Sequence, residues 1–290
     1  MADEIDSGPT PGDTDVPGET RRQRRRRRRH HRRQNGEPLP GLYLAPHLVT
    51  TANLFFGFFA IVQAFAGKPD LAAGGIILAG VCDAIDGRIA RLARTSSRFG
   101  VEYDSIADTV SFGVAPAMLA FSAGNLEVLG RSGWVLSFLF TACAALRLAR
   151  FNVSPGRYKG RFEGMPSPAA AGCVASTQWF ASFLRANGYP LDMPPLVIAL
   201  GVAFLGLLMV SPIPYRSNKE LDLRHSFGTL VLVVIALALI VQEPSVTLFV
   251  IGVVYTASGP FEWLVRRVRG TTLEELPVEP ATEPPARTES

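Results

Sequence analysis

The chain has 290 residues, of which 48% are hydrophobic, and a formal net charge of +4 at pH 7. Its three cysteines lie in apolar segments without the spacing of a metal site, which excludes a disulfide framework. The first apolar run follows a long charged leader, so no cleavable signal peptide is expected. Because the apolar residues are concentrated between two polar ends, the composition predicts one polytopic membrane domain, at residues 41–270.

Residues 1–40 are predicted to form a disordered, Arg-rich cytoplasmic leader, because they contain too few bulky apolar side chains to fold. The leader includes a nearly continuous run of arginines from Arg21 to Arg33. Such a run can bind nucleic acid, but it stands just before an apolar segment and has no interleaved aromatic residues. Attraction to an anionic lipid bilayer is therefore favoured, and no nucleic-acid partner is expected. Residues 271–290, rich in Glu, Pro and Thr, are predicted to be a disordered cytoplasmic tail.

Apolar stretches of membrane-spanning length predict an all-α, polytopic helical bundle of about eight transmembrane helices. The expected spans are 46–66, 71–91, 101–123, 133–150, 166–185, 194–210, 227–241 and 246–265. Arginine and lysine are concentrated in alternate connections, as the positive-inside rule requires for an even number of spans. The pattern predicts a multi-pass protein of the cell membrane with both termini in the cytoplasm.

Four aspartates stand at the cytoplasmic ends of the second and third predicted spans: Asp83, Asp86, Asp104 and Asp108. Spacings of three and four residues place both members of each pair on one helix face. Carboxylates in a membrane segment are functional by default, and ligation by oxygen alone indicates Mg²⁺ or Mn²⁺. The alternative is that Asp83 and Asp86 form salt bridges with neighbouring arginines, but that does not explain two pairs with glycines at matching offsets.

The full pattern is Asp83-x2-Asp86-Gly87-x2-Ala90-Arg91-x8-Gly100-x3-Asp104-x3-Asp108. It resembles the signature of the CDP-alcohol phosphatidyltransferases at every defined position. The resemblance covers about residues 42–216 and implies a six-helix family-like core. It also implies two divalent cations, Mg²⁺ or Mn²⁺, and a homodimer.

The resemblance assigns roles to individual residues. Asp83, Asp86, Asp104 and Asp108 would be metal ligands, and Asp108 would also be the catalytic base that deprotonates the acceptor hydroxyl. The residues expected to contact CDP-diacylglycerol are Asn53, Gly87, Ala90, Arg91, Ser97 and Gly100. The motif leaves Ser97 undefined, and Asn53 could instead bond a neighbouring helix or a metal-site carboxylate.

Three further segments resemble stretches of the bacterial, membrane-embedded branch of this family that uses L-serine. They begin at Pro46, Leu146 and Phe162. The expected serine-binding residues are Arg147, Arg150, Asn152, Pro166 and Ser167. Arg147 and Arg150 are three residues apart and could hold a carboxylate, although a snorkelling role at the helix end is an alternative for each.

The predicted activity is transfer of the phosphatidyl group from CDP-diacylglycerol to L-serine, which gives phosphatidylserine and CMP. Arginines would equally suit a phosphorylated acceptor such as glycerol-3-phosphate or an inositol phosphate, so charge alone does not identify the alcohol. Two other classes of protein are alternatives: a divalent-cation transporter, and a membrane-anchored scaffold that binds nucleic acid through the Arg run. The transporter is disfavoured because the aspartates cluster at one membrane face and the later spans have almost no polar residues.

Overall fold

Eight long helices follow one another in the part of the chain that this computed structural model describes, residues 44–93, 98–153, 161–216 and 227–269. They are α1 (Leu44–Phe65), α2 (Pro69–Ala93), α3 (98–123), α4 (Arg131–Val153), α5 (Ser167–Ala186), α6 (Pro195–Val210), α7 (Phe227–Gln242) and α8 (Pro244–Arg269). The predicted leader and tail lie outside the described residues.

Helix α3 is continuous but changes its winding twice. It is α-helical over Arg98–Asp108, π-helical over Thr109–Val114, and α-helical again over Ala115–Ala123. A short 3₁₀ turn, Leu126–Leu129, then leads into α4. The wider winding begins directly after Asp108, and π-helical turns inside α-helices are frequent at functional sites.

Four of the described helices are long and apolar enough to cross a membrane: His47–Phe65, Phe99–Ala123, Arg131–Val153 and Pro244–Arg269. Helix α6 is apolar but shorter. Helix α2 carries several charged residues near its C-terminal end. The all-α, multi-pass membrane architecture is confirmed, whereas the number of eight spans stays a prediction.

The core of the bundle is made largely of small side chains. Helix α2 packs on α5 and on the second half of α3, α4 packs on α6 and on the π-helical segment, and α5 also packs on α8. Alanines such as Ala60, Ala72 and Ala79 are fully buried in this core. In a bilayer, where lipid tails are as apolar as leucine, such small residues let helices approach closely and gain van der Waals contact.

Two three-residue strands close one end of the bundle. Strand β1 (Arg161–Glu163) precedes α5, and β2 (Pro214–Arg216) follows α6; they pair antiparallel. Gly164 follows β1 with φ +78°, and a Cβ there would lie 2.1 Å from the carbonyl oxygen of Met209. Glycine is therefore required at this close approach, which fixes the start of α5 against the end of α6.

Candidate metal and acceptor site

Three carboxylates from two helices meet near the cytoplasmic end predicted for α2 and α3. Asp83 of α2 lies with Asp104 and Asp108 of α3, and one oxygen of each lies within 4.8 Å of the others. Asp104 and Asp108 share one face because they are a helical turn apart. Three converging carboxylate groups repel one another unless a cation or protons neutralise them, and oxygen ligands suit Mg²⁺ or Mn²⁺.

Asp86 lies beside this group rather than within it. Its side chain is 6% exposed, and its Oδ2 accepts a hydrogen bond from the hydroxyl of Thr50. The carboxylate of Asp86 is close enough to those of Asp83 and Asp104 for their charges to interact. Asp86 therefore extends the acidic cluster toward α1.

Two buried oxygens in this cluster fit a cation site. Oδ1 of Asp86 and Oδ1 of Asp104 are inaccessible to solvent and accept no hydrogen bond from the residues that the structure describes. Buried acceptors are normally satisfied, so each of these oxygens calls for a partner such as a metal ion or a metal-bound water. The donor set and its unsatisfied oxygens can hold a divalent cation.

Asn53 of α1 is hydrogen-bonded to the carboxylate of Asp108. Its Nδ2 donates to Oδ1 of Asp108 over 2.9 Å, and both side chains are buried. The backbone oxygen of Asn53 accepts a hydrogen bond of 3.0 Å from Ser111 in the π-helical segment. A Cβ on Gly57 would lie 2.2 Å from Oγ of Ser111, so this glycine permits the close contact of α1 with α3. Asn53 therefore bonds a neighbouring helix through a carboxylate of the acidic cluster, and its expected contact with CDP-diacylglycerol stays a prediction.

Arg147 is the buried cation of the site. It lies on α4, is 8% exposed, and its Nη1 donates to Oγ of Ser167 over 3.3 Å. Its charge also acts on Asp108. Within the described part of the chain its buried Nε donates to no acceptor. The guanidinium thus bonds the first turn of α5, acts electrostatically on Asp108, and keeps a hydrogen-bond donor available.

Arg150, one turn further along α4, makes different contacts. Its guanidinium donates to the carbonyl oxygens of Val210 and Glu163, over 3.3 and 3.0 Å, and lies 3.9 Å from the Glu163 carboxylate. These bonds join the end of α4 to β1 and to the end of α6. The two arginines share a helix face, but Arg150 is engaged with the backbone while Arg147 faces the acidic cluster.

The other predicted acceptor residues lie close to these elements. Asn152 is exposed and donates to Oγ of Ser105 over 2.8 Å; Ser105 is the residue that follows Asp104 on α3. Pro166 caps the N-terminus of α5, and Ser167 is buried in its first turn against Arg147. Arg147, Ser167 and Asn152 therefore lie on the side of the acidic cluster that faces α4 and α5.

The structure describes only some of the residues that are predicted to contact the nucleotide. Gly87 follows Asp86 on α2, and Gly100 lies in the first turn of α3. The side chains of Ala90 and Arg91, and the whole of Ser97, lie outside the described residues. The glycines are on the two helices that carry the carboxylates.

Sequence reasoning did not single out Thr50, which donates to Asp86. Thr50 lies three residues before Asn53 on α1, and this spacing indicates that the two side chains share one helix face.

Comparison with known proteins supports the interpretation of the motif. The sequence model of a family described as CDP-alcohol phosphatidyltransferase matches residues 43–207. The chain belongs to this family. The matched region includes all four aspartates, Arg147 and Ser167, and it ends before β2 and the last two helices.

Two curated bacterial relatives are similar over most of the chain, and a yeast relative is similar over about half of it. A protein of Helicobacter pylori is 35% identical over 236 residues, which cover 80% of this chain and 96% of that protein. A protein of Mycobacterium tuberculosis is 31% identical over 234 residues, 76% of this chain and 78% of that protein. A Saccharomyces cerevisiae protein is 43% identical over 152 residues, 46% of this chain and 52% of that protein. Each of the three is named CDP-diacylglycerol–serine O-phosphatidyltransferase.

Proposed function

We propose that this CDP-alcohol phosphatidyltransferase moves the phosphatidyl group of CDP-diacylglycerol to L-serine, giving phosphatidylserine and CMP. The observation that carries the proposal is the meeting of Asp83, Asp104 and Asp108 within 4.8 Å, beside a buried arginine. The shared name of relatives in two bacteria and a yeast supports serine as the acceptor.

Asp108 is the proposed catalytic base. It takes the proton of the serine hydroxyl while that oxygen bonds to the phosphorus that carries diacylglycerol, and the bond from that phosphorus to the CMP oxygen breaks. The hydrogen bond from Asn53 fixes one oxygen of Asp108, and the other oxygen stays available to receive the proton. Burial of both side chains keeps the carboxylate in a single orientation.

The four aspartates are the proposed ligands of two divalent cations, Mg²⁺ or Mn²⁺. When bound, such ions neutralise the charge of the pyrophosphate and of the leaving CMP. Thr50 orients Asp86 toward this role by donating to one of its oxygens and leaving the other available. The serine carboxylate is proposed to bind Arg147, whose Nε has no acceptor among the described residues.

The remaining predicted residues are proposed to form the walls of the two substrate pockets. Gly87, Ala90, Arg91, Ser97 and Gly100 are proposed to form the wall of the cytidine-diphosphate pocket. Asn152 and Pro166 would border the serine pocket. Arg150 would hold the backbone beside that pocket through its bonds to Val210 and Glu163. We place the enzyme in the cell membrane with both termini in the cytoplasm and the Arg-rich leader on anionic lipid, and we expect a homodimer.

One assay tests the proposal. Purified protein in mixed micelles with CDP-diacylglycerol and Mn²⁺ or Mg²⁺ is offered L-serine, glycerol-3-phosphate or inositol phosphate separately, and CMP release is followed. Serine alone is expected to stimulate release. Stimulation by a phosphorylated alcohol but not by serine would replace serine as the acceptor, and no CMP release with any of them would contradict the transferase activity.

A further inference from the structure

The side-chain oxygen of Asn53 is a buried acceptor that the contacts described above leave unused. Asn53 is fully buried on α1, and its Nδ2 donates to Oδ1 of Asp108 over 2.9 Å. Its own Oδ1 accepts no hydrogen bond from the residues that the structure describes. An ionised carboxylate only accepts hydrogen bonds, so the amide turns its nitrogen to Asp108 and its oxygen elsewhere. Buried acceptors are normally satisfied, and this oxygen therefore calls for a donor from outside the described chain.

The position of this oxygen is fixed at both ends of the residue. The backbone oxygen of Asn53 accepts a hydrogen bond of 3.0 Å from Ser111, and the side-chain amide is bonded to Asp108. Gly57, one turn further along α1, lets this helix lie directly against Ser111. An acceptor that is held in one orientation is suited to select a ligand group by position.

The missing donor belongs beside the proposed catalytic base. Oδ1 and Nδ2 of Asn53 are bonded to the same carbon, so Oδ1 lies next to the carboxylate that takes the proton of the acceptor hydroxyl. In serine, the carbon that carries the ammonium group is bonded directly to the carbon that carries the hydroxyl. A serine molecule whose hydroxyl meets Asp108 therefore brings its ammonium group to the vicinity of Asn53.

We propose that Asn53 is a specificity-determining residue whose Oδ1 accepts a hydrogen bond from the ammonium group of the acceptor serine. The inference rests on the proposed function and gives each polar group of serine a partner. The hydroxyl meets Asp108, the carboxylate meets Arg147, and the ammonium group meets Asn53.

The charges around Asn53 agree with a cationic donor. Asp83, Asp104 and Asp108 meet within 4.8 Å, so a positive group beside them is favoured and a further anion is not. A hydroxyl of a phosphorylated alcohol can also donate to an amide oxygen. An ammonium group makes the stronger bond, because hydrogen bonds from a charged donor are roughly twice as strong as neutral ones.

The test compares Asn53→Leu with Asn53→Asp in the full chain, assayed with CDP-diacylglycerol and Mn²⁺. Leucine removes the acceptor oxygen and the amide donor, whereas aspartate keeps an acceptor oxygen and removes only the amide donor. Two ligands are compared: L-serine as the substrate, and 3-hydroxypropionate, which is serine without its ammonium group, as a competitor. CMP release at varied serine gives the KM, and inhibition of that reaction gives the Ki of 3-hydroxypropionate.

Wild-type enzyme is expected to bind 3-hydroxypropionate at least about tenfold more weakly than serine, because a hydrogen bond to a charged group is lost. Asn53→Leu should raise the KM for serine about tenfold and leave the Ki of 3-hydroxypropionate within about twofold. Asn53→Asp should keep the preference for serine. The kcat should fall in both variants, since both lose the amide that fixes Asp108. If a variant turns over too slowly, calorimetry with CMP and Mn²⁺, which supply no phosphatidyl group, gives the Kd of both ligands.

The outcomes separate this inference from the proposed function. An equal rise for serine and 3-hydroxypropionate in Asn53→Leu, or no rise for either, would overturn the inference alone. A rise only in the KM for CDP-diacylglycerol, or only in the Mn²⁺ requirement, would assign the oxygen to the nucleotide or to a metal-bound water and would also overturn it. Wild-type protein that does not use serine would overturn the proposed function, and the inference with it.

Discussion

Asn53 and Asp108, on different helices, are joined by a hydrogen bond of 2.9 Å from the amide nitrogen to the carboxylate. The bond lies where α3 changes to π-helical winding, and the same asparagine accepts a bond from Ser111 in that segment. One residue of α1 thus fixes both the proposed base and the irregular turn that follows it.

The Asp108→Asn variant is expected to lose turnover and to retain binding of CDP-diacylglycerol. Asparagine has nearly the same shape and can still accept the bond from Asn53, but it cannot take a proton. General bases contribute about 10² to 10⁴-fold to rate, so CMP release is expected to fall by at least about 100-fold. Binding is measured by titration with CDP-diacylglycerol in micelles, and full turnover in the variant would exclude Asp108 as the base.

Thr50 is expected to tune the metal affinity of the site. Thr50→Val keeps the side-chain shape and removes the hydroxyl that donates to buried Asp86. Loss of such a partner to a ligand typically costs about 10- to 100-fold in metal affinity or activity, so the Mn²⁺ concentration for half-maximal activity is expected to rise. Thr50→Ser, which keeps a donor, is the control; equal metal dependence in both variants would argue against this role.

Gly57→Ala is expected to disturb the contact of α1 with α3. The new methyl group would lie 2.2 Å from Oγ and 2.7 Å from Cα of Ser111, which forces the helices apart. Overpacking of this kind costs about 1–3 kcal/mol, and activity should fall because Asn53 lies one turn away. Gly172→Ala, where a Cβ would meet no atom within 4 Å, is the control. Thermal unfolding in detergent measures both, and equal stability would contradict the packing.

The two arginines of α4 are expected to differ when each is changed to lysine. Arg147→Lys should raise the KM for serine about tenfold or more, because a buried forked donor is lost. Arg150→Lys should mainly lower the thermal stability, since its bonds go to the carbonyls of Val210 and Glu163. The KM for serine and the melting temperature of both variants separate these roles, and a reversed pattern would assign serine binding to Arg150.

Chelation is expected to stop the reaction reversibly. EDTA should abolish CMP release, and Mg²⁺ or Mn²⁺ should restore it, because the proposed ligands are all carboxylate oxygens. A matched test is Asp104→Asn, which removes one charge from the cluster and should raise the metal concentration needed. Full activity in EDTA would contradict a metal site at these aspartates.

The sequence predicted the positions of the helices well, because each is a long apolar segment bounded by charges or prolines. The fourth span was expected at 133–150 and is found at Arg131–Val153. The strands β1 and β2 were not predicted, since three residues are too few for an alternating pattern and their pairing partners are separated by two helices. The π-helical segment was also missed; Ser111 in this segment donates to the backbone oxygen of Asn53 on another helix, a contact that local spacing does not reveal.

The sequence predicted those parts of the site in which the functional residues lie a few positions apart on one helix. The gaps of three and four residues placed Asp83 and Asp86 on one face, and likewise Asp104 and Asp108. Spacing could not distinguish Arg147 from Arg150, which share a face, because only the fold shows which of them meets backbone carbonyls.

The pairing of β1 with β2 has a consequence for biosynthesis. Arg150 donates to Glu163 in β1 and to Val210 at the end of α6. Strand β2 follows Val210, so it is synthesised only after α5 and α6 are complete. A nascent chain that stops at Val210 still lacks the partner strand and the helix that packs on Tyr215. The aspartates can therefore be inserted early, whereas β1 gains its partner strand, and Tyr215 its contact with Gly259, only after β2 and the last helix have been synthesised.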